Sequence, residues 1–195
     1  MKLKEQVTAY HEAGHFVVAL FLHVPIKYVT VNPDSDSNGH CRTGFRFREQ
    51  QIYDLSDTTI IKFEKDVMVN LAGYEAARKF RPSSVRRHHA ASDRNNVIEL
   101  ISRAGAPNET SLWIKLLTIR TRNLLEIRWN EVEKIAAALL ERKWLSLEDG
   151  QRIIFGDGFV DTVKALAERV KSDNRAPVPY CCSASTNRGR VKATA

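Results

Sequence analysis

Two histidines and a glutamate near the start of the chain could form a metal site. Residues 10–15 contain the pattern His-Glu-x-x-His, and the apolar run 16–22 follows it. Residues four apart on a helix lie on one face, so His11 and His15 can bind one ion, for which tetrahedral zinc is well suited. Glu12 would then lie close enough to take a proton from an attacking water without binding the metal itself. This is the arrangement of a metalloprotease.

The alternative is a chance pattern, because a motif with three fixed positions also occurs in unrelated helices. Gly14, between Glu12 and His15, favours the metal site. A glycine in the middle of a helix costs up to about 1 kcal/mol relative to alanine. A close approach of backbone or ligand at this helix would explain why the glycine is tolerated.

The composition is that of an ordinary globular protein. The chain has 195 residues, of which 43% are hydrophobic and 27% are charged. This length suits one domain, which we assign to residues 1–172, and we expect the basic residues 173–195 to form a disordered tail. No apolar run approaches the ~20 residues that cross a bilayer. The three cysteines do not form a disulfide framework, so we predict a cytoplasmic protein with no membrane segment.

The net charge of +7 raises the question of a nucleic-acid partner. The sequence contains no motif typical of nucleic-acid recognition, so a solvated basic face is the preferred interpretation. We therefore expect no nucleic-acid partner.

The periodicity predicts a mainly α domain of the α+β class, with a small β-sheet after the first helix. Residues 26–31 are rich in β-branched and aromatic side chains, and residues 42–48 alternate as an edge strand does. An extended peptide could add itself to such an edge as a further strand. Helices are predicted over about residues 3–22, 57–80, 110–142, 147–154 and 161–171, with another starting at Ser92 or Asp93 and a turn at residues 156–158.

A catalytic zinc needs a third protein ligand. A third histidine is missing from the local extension of the motif, since the sixth position after His15 is Phe21. The ligand must therefore come from farther along the chain. The candidates are Asp93, Glu75, Glu64, Glu99, His40, His88 and His89. Asp93 could equally be an ordinary helix cap, because Ser-Asp is good capping chemistry without any metal.

The segment Thr8–His15 resembles the zinc-site helix of the FtsH-type metalloproteases. Residues 69–77 resemble the L-G-G-R-A-A-E-E helix of that family, and residues 130–141 resemble its C-terminal helix. In the family the third zinc ligand is an aspartate at the start of a helix, in a G-A-S-N-D-like segment. Residues 90–93 correspond to that segment, so the resemblance implies that Asp93 is the third ligand.

The chain departs from the family in several places. The asparagine before the aspartate is missing at Ser92, and Glu75 falls earlier than the acidic pair of the family. The given sequence contains no Gly-x-x-x-x-Gly-Lys-Ser/Thr motif and no apolar run long enough to be the membrane anchor of the family. The resemblance therefore implies a stand-alone peptidase domain that lacks the AAA ATPase.

The resemblance implies a zinc-dependent, ATP-independent peptidase, with His11, His15 and Asp93 as ligands and Glu12 as the catalytic residue. Its substrates would be unfolded or flexible polypeptides, and a separate ATPase acting in trans is an expected type of partner. A homo-oligomer is compatible with the ring that the family forms. The alternative is a catalytically inactive peptide-binding or adaptor domain with the same fold, but the intact Glu12 favours the enzyme.

Overall fold

The protein is mainly helical, with a small antiparallel sheet after the first helix, as predicted. The computed structural model describes residues 3–33, 39–43, 57–84, 91–103 and 110–173. Its helices are α1 (Leu3–Phe21), α2 (Asp57–Phe80), α3 (Ala91–Arg103), α4 (Thr110–Ile127), α5 (Trp129–Arg142), α6 (Leu147–Phe155) and α7 (Asp157–Asp173). Its strands are β1 (Ile26–Thr30), β2 (His40–Thr43) and β3 (Trp144–Ser146).

The first helix, α1, lies at the centre of the core. From Ala9 to Ala19 every residue is buried except Tyr10 and His11, which are partly exposed. A helix that is apolar around most of its circumference must be covered on several sides. Helices α2 and α5 and the sheet provide that cover.

Gly14 allows α1 and α2 to pack closely. A Cβ atom at this position would lie 2.5 Å from the Cβ of Ala76 and 2.8 Å from the carbonyl oxygen of Ala72. The predicted close approach at this glycine is therefore confirmed, and its partner is the backbone of α2. Any larger residue at position 14 would force the two helices apart.

The sheet has the strand order β2-β1-β3, and both pairings are antiparallel. Strand β3 was not predicted, because three residues between two helices give no periodic signal. It begins directly after Lys143, whose left-handed conformation (φ 66°) ends α5. The second strand, His40–Thr43, begins two residues before the predicted range, and the rest of that range, residues 44–48, lies outside the described part of the chain.

Two helix predictions were wrong in detail. The stretch predicted as one helix over residues 110–142 is divided at Arg128 into α4 and α5. The guanidinium of Arg128 lies 4.1 Å from the ring centre of Phe21, at the end of α1, which is a contact that sequence periodicity does not report. The turn predicted at residues 156–158 is limited to Gly156, whose φ of 85° separates α6 from α7.

A capping box begins α6. The Ser146 hydroxyl accepts a hydrogen bond from the backbone N–H of Asp149, whose carboxylate in turn accepts one from the Ser146 N–H. This reciprocal pair satisfies two backbone donors at the start of the helix.

Internal contacts divide the chain into two units, Met1–Val160 and Asp161–Ala195. In its described part the second unit is the rest of α7, whose side chains over residues 161–169 are exposed. The predicted tail lies almost entirely outside the described residues. Among the helices that the structure describes, none has both the length and the apolar character of a membrane span.

A glycine in α6 provides a test of this packing. A Cβ at Gly150 would lie 2.5 Å from Cε1 of the fully buried Phe16 ring. We expect Gly150→Ala to lower the free energy of unfolding by about 1–3 kcal/mol, because the overpacked ring must shift. Urea denaturation measures the change.

The matched control is Gly158→Ala in the first turn of α7, where an added Cβ meets no atom within 4 Å. This variant should be as stable as the parent or up to about 1 kcal/mol more stable. Equal unfolding midpoints for the two variants would contradict the packing described here.

Candidate metal centre

Helix α1 brings His11 and His15 together at the edge of the core. The two Nε2 atoms are 3.1 Å apart, and the rings meet edge to face with centroids 4.7 Å apart. The helix repeat sets this separation, because the residues are four positions apart on one face. His15 is buried and His11 is partly exposed, so the pair has one inner and one outer member.

Helix α2 packs against the two histidine rings and fixes the orientation of His15. The Nδ1–H of His15 donates a hydrogen bond to the carbonyl oxygen of Val69 at 2.7 Å. That bond leaves the lone pair of Nε2 pointing towards His11, which is the arrangement of a metal-ligating histidine. One turn after Val69 on α2, a Cβ atom added at Gly73 would lie only 2.6 Å from the His11 Nε2. The missing side chain at Gly73 thus provides the space in which the two imidazoles lie.

Asp93 completes the group from the first turn of α3. Its Oδ2 lies 3.1 Å from the His11 Nε2 and 3.4 Å from the His15 Nε2. The three ligand atoms all lie within 4.8 Å of one another. Around a tetrahedral zinc with bonds of about 2.0–2.1 Å, ligand atoms are separated by roughly 3.3 Å. The donor set and the spacing both fit such an ion.

The electrostatics also favour a cation at this position. Burial alone would lower the pKa of His15, but the charge and hydrogen bond of Asp93 outweigh burial and raise it to about 9. Burial alone would raise the pKa of Asp93, but His15 and His11 hold it well below its usual range. In the metal-free protein a proton thus supplies the positive charge that the carboxylate requires. A metal ion would replace that proton, and its binding would release protons to solvent.

Glu12 lies beside this group and is 4% exposed. Its Oε2 accepts no hydrogen bond from the part of the chain that the structure describes. Burial raises the pKa of this carboxyl, with a smaller opposing effect from His11 and His15. A buried polar atom without a partner is uncommon in proteins, and one beside a ligand cluster is suited to act on a bound water or substrate.

The residue directly before the second strand lies against Glu12. A Cβ at Gly39 would lie 3.1 Å from the Cγ of Glu12, so the backbone that leads into β2 runs against this side chain. Burial and the nearby Glu12 raise the pKa of the Cys41 thiol in β2. The backbone at Gly39 therefore forms one wall of the site.

The structure places the other candidate ligands elsewhere. Glu75, one of the candidates for the third ligand, is not part of the ligand group. It is buried, and its carboxylate accepts hydrogen bonds from the Arg122 guanidinium at 2.7 and 3.1 Å. Glu64 is paired with Arg120.

The remaining candidates are also accounted for. The Nε2 of His40 lies 3.0 Å from the Tyr28 hydroxyl. Glu99 lies exposed on α3 and is not part of the ligand group. His88 and His89 lie outside the described residues.

Sequence reasoning missed the partners on α2. Val69 contributes a backbone carbonyl, which any residue has, so no sequence signal could identify it. Gly73 does carry a signal, since a second mid-helix glycine suggests close approach, but nothing in the sequence indicates what approaches it. A third residue of α2, the partly buried Asp66, lies two turns from Gly73 and was likewise not singled out.

Comparison with models of protein families and with curated proteins finds no match.

The space beside Gly73 can be tested directly. We expect Gly73→Ala to weaken Zn²⁺ binding about 10–100-fold, because the new methyl group would occupy the space of the two imidazoles and displace them. Competition with a chromophoric chelator measures the affinity. Gly158→Ala makes the same chemical change where an added Cβ meets nothing, and it should bind as the parent does. Unchanged affinity in a folded Gly73→Ala protein would show that these rings do not hold the metal.

A pH-dependent prediction concerns Asp66. Burial raises the pKa of this carboxyl from its ordinary 3.8 to about 6. The folded state then binds more protons than the unfolded state between these values, so stability falls as the pH rises from about 4 to 6. We expect Asp66→Asn to raise the free energy of unfolding at pH 7 by roughly 2–3 kcal/mol, and to have little effect at about pH 3.5.

The control is Asp149→Asn, for which we expect a change in the free energy of unfolding at pH 7 of the opposite sign. Hydrogen bonds from Ser146 lower the pKa of Asp149, so Asp149→Asn should destabilise the protein at pH 7. Urea titrations at the two pH values measure both variants. If Asp66→Asn destabilised the protein at pH 7, ionisation of the Asp66 carboxyl would not lower the stability of the folded state.

Proposed function

We propose that the chain is a zinc-dependent metallopeptidase that hydrolyses peptide bonds of unfolded or flexible polypeptides. The observation that carries the proposal is the convergence of His11, His15 and Asp93 beside Glu12. The donor set is the three-ligand type of catalytic zinc sites, which keep one position open for water or substrate. The resemblance to the FtsH-type metalloproteases supports the same function and suggests that this fold is a helical zinc-metalloprotease domain of that kind.

Each side chain has a distinct part in the proposed reaction. When bound by the two histidines and Asp93, zinc supplies a Lewis acid that polarises the scissile carbonyl and makes water more acidic. Glu12 accepts a proton from the attacking water as the new C–O bond forms. It then donates that proton to the amine nitrogen as the C–N bond breaks. Its raised pKa suits this exchange, since a catalytic group works best when its pKa lies near the operating pH.

The outer edge of the sheet is suited to binding an extended polypeptide. Within the described residues β2 pairs only with β1, and Gly39, directly before β2, lies against Glu12. A polypeptide added alongside β2 would form backbone hydrogen bonds beside the catalytic carboxylate. Only an unfolded or flexible segment can adopt that conformation, which supports the proposed substrate class.

A second candidate function is a peptide-binding or adaptor domain that keeps the site and has lost turnover. The presence of Glu12, with an oxygen that no described residue satisfies, favours the enzyme. An adaptor would have no need to keep an unpaired carboxylate buried, because its burial costs stability.

Zinc content and proteolysis together test the proposal. The purified protein should bind about one zinc per chain, by analogy with single-site zinc peptidases, and should cut unstructured casein. Glu12→Gln should retain zinc but lose cleavage, because it removes the proton acceptor and leaves the three ligands intact. His15→Ala should lose both zinc and cleavage.

Metal analysis and gel-based casein digestion measure these outcomes, with Glu64→Gln as a control carboxylate that is paired with Arg120. If zinc binds at the site but the parent protein cuts no peptide, the adaptor function replaces the enzyme. Cleavage that survives in Glu12→Gln would exclude the proposed role of this residue.

A further inference from the structure

One face of α2 carries a row of residues that extends away from the metal centre. Asp66, Asn70 and Gly73 are spaced four and three residues apart, so they lie on one side of the helix. Gly73 contacts the histidine rings and marks the end of the row at the metal centre. At 1.5 Å per residue, Asp66 lies about 10 Å farther along the helix axis.

Hydrogen bonds place this row where α2 and α3 meet. The Nδ2 of Asn70 donates to the backbone oxygen of Asp66 at 2.8 Å, which holds the amide in place. The Oδ1 of Asn70 lies 3.5 Å from the Nδ2 of Asn96. Asn96 follows the ligand Asp93 by three residues on α3, so both lie on one face of that helix. The row and the ligand group therefore share one side of the structure.

The carboxylate of Asp66 is the unusual member of the row. It is partly buried, and burial is the cause of its raised pKa. No lysine, arginine or histidine among the described residues forms an ion pair with it. The other buried or partly buried acids of α2 are compensated, since Glu64 pairs with Arg120 and Glu75 with Arg122. A buried carboxylate without a cation costs stability, and a cationic ligand would remove that cost.

We propose that Asp66 is a specificity-determining residue that pairs with a lysine or arginine side chain of the bound polypeptide, with the amides of Asn70 and Asn96 beside it. This inference rests on the proposed peptidase function for its link to cleavage. An extended peptide rises about 3.3 Å per residue, so a basic residue a few positions from the scissile bond can reach Asp66 while that bond lies at the metal centre.

The experiment uses internally quenched peptides that differ at one position. Lysine, arginine, norleucine or glutamate is placed in turn at each of three positions on either side of the scissile bond. With the zinc-loaded full chain, kcat/KM should be at least about tenfold higher for lysine or arginine than for norleucine at one position. Asp66→Asn should reduce that ratio to near one, and Asp66→Lys should shift the preference to glutamate. A merely structural residue would not reverse the preferred charge.

A binding measurement separates this inference from the proposed function. Fluorescence anisotropy gives the Kd of fluorescein-labelled lysine and norleucine peptides for zinc-loaded Glu12→Gln, with and without Asp66→Asn. An Asp66-dependent preference for lysine in binding, in a protein whose parent form cuts nothing, would support the Asp66 site and reject the peptidase.

The matched control is Glu64→Gln, which removes a carboxylate from the α4-facing side of α2 and should leave the basic preference unchanged. Cleavage with no basic preference at any position, or a preference that Asp66→Asn leaves intact, would overturn the inference while leaving the peptidase in place.

Discussion

The close contact between α1 and α2 is the constraint on which the rest of the structure depends. At Gly14 the two helices lie so close that an added Cβ atom would collide with α2. At Gly73 the missing side chain leaves the space that the histidine rings fill. The Val69 carbonyl, on α2 like Gly73, accepts a hydrogen bond from the Nδ1–H of His15 at 2.7 Å. A methyl group at either glycine would disturb one of these contacts. Two mid-helix glycines, each unfavourable for the helix that contains it, are thus explained by one interface.

That interface creates a site in which charged groups are brought together at a cost. His15 is buried and Asp93 is partly buried. Glu12 is buried with an oxygen that no described residue satisfies. Isolated buried charges are unfavourable, and they persist in proteins where they are paired, bind metals or serve function. Mutual pairing accounts for the histidines and Asp93 in the absence of metal. It does not account for Glu12, and a substrate or water at the site would.

The local features of this fold follow from sequence, and the long-range features do not. The spacing of His11 and His15 predicts their meeting, because the helix repeat alone sets it. The position of Asp93 depends on how α3 packs against α2 and α4, and the motif resemblance was needed to single it out from the other candidates. The Val69 carbonyl had no signal, since every residue has the same backbone group. The break at Arg128 was not located because no glycine or proline marks it, and the contact of Arg128 with the Phe21 ring joins residues far apart in sequence.

The most direct test of the account is a crystal of the zinc-loaded protein measured on both sides of the zinc absorption edge. The account predicts one strong anomalous peak, within about 2.0–2.2 Å of the His11 Nε2, the His15 Nε2 and an oxygen of Asp93. A well-ordered crystal with no zinc between these three side chains, or with zinc held by other residues, would contradict it.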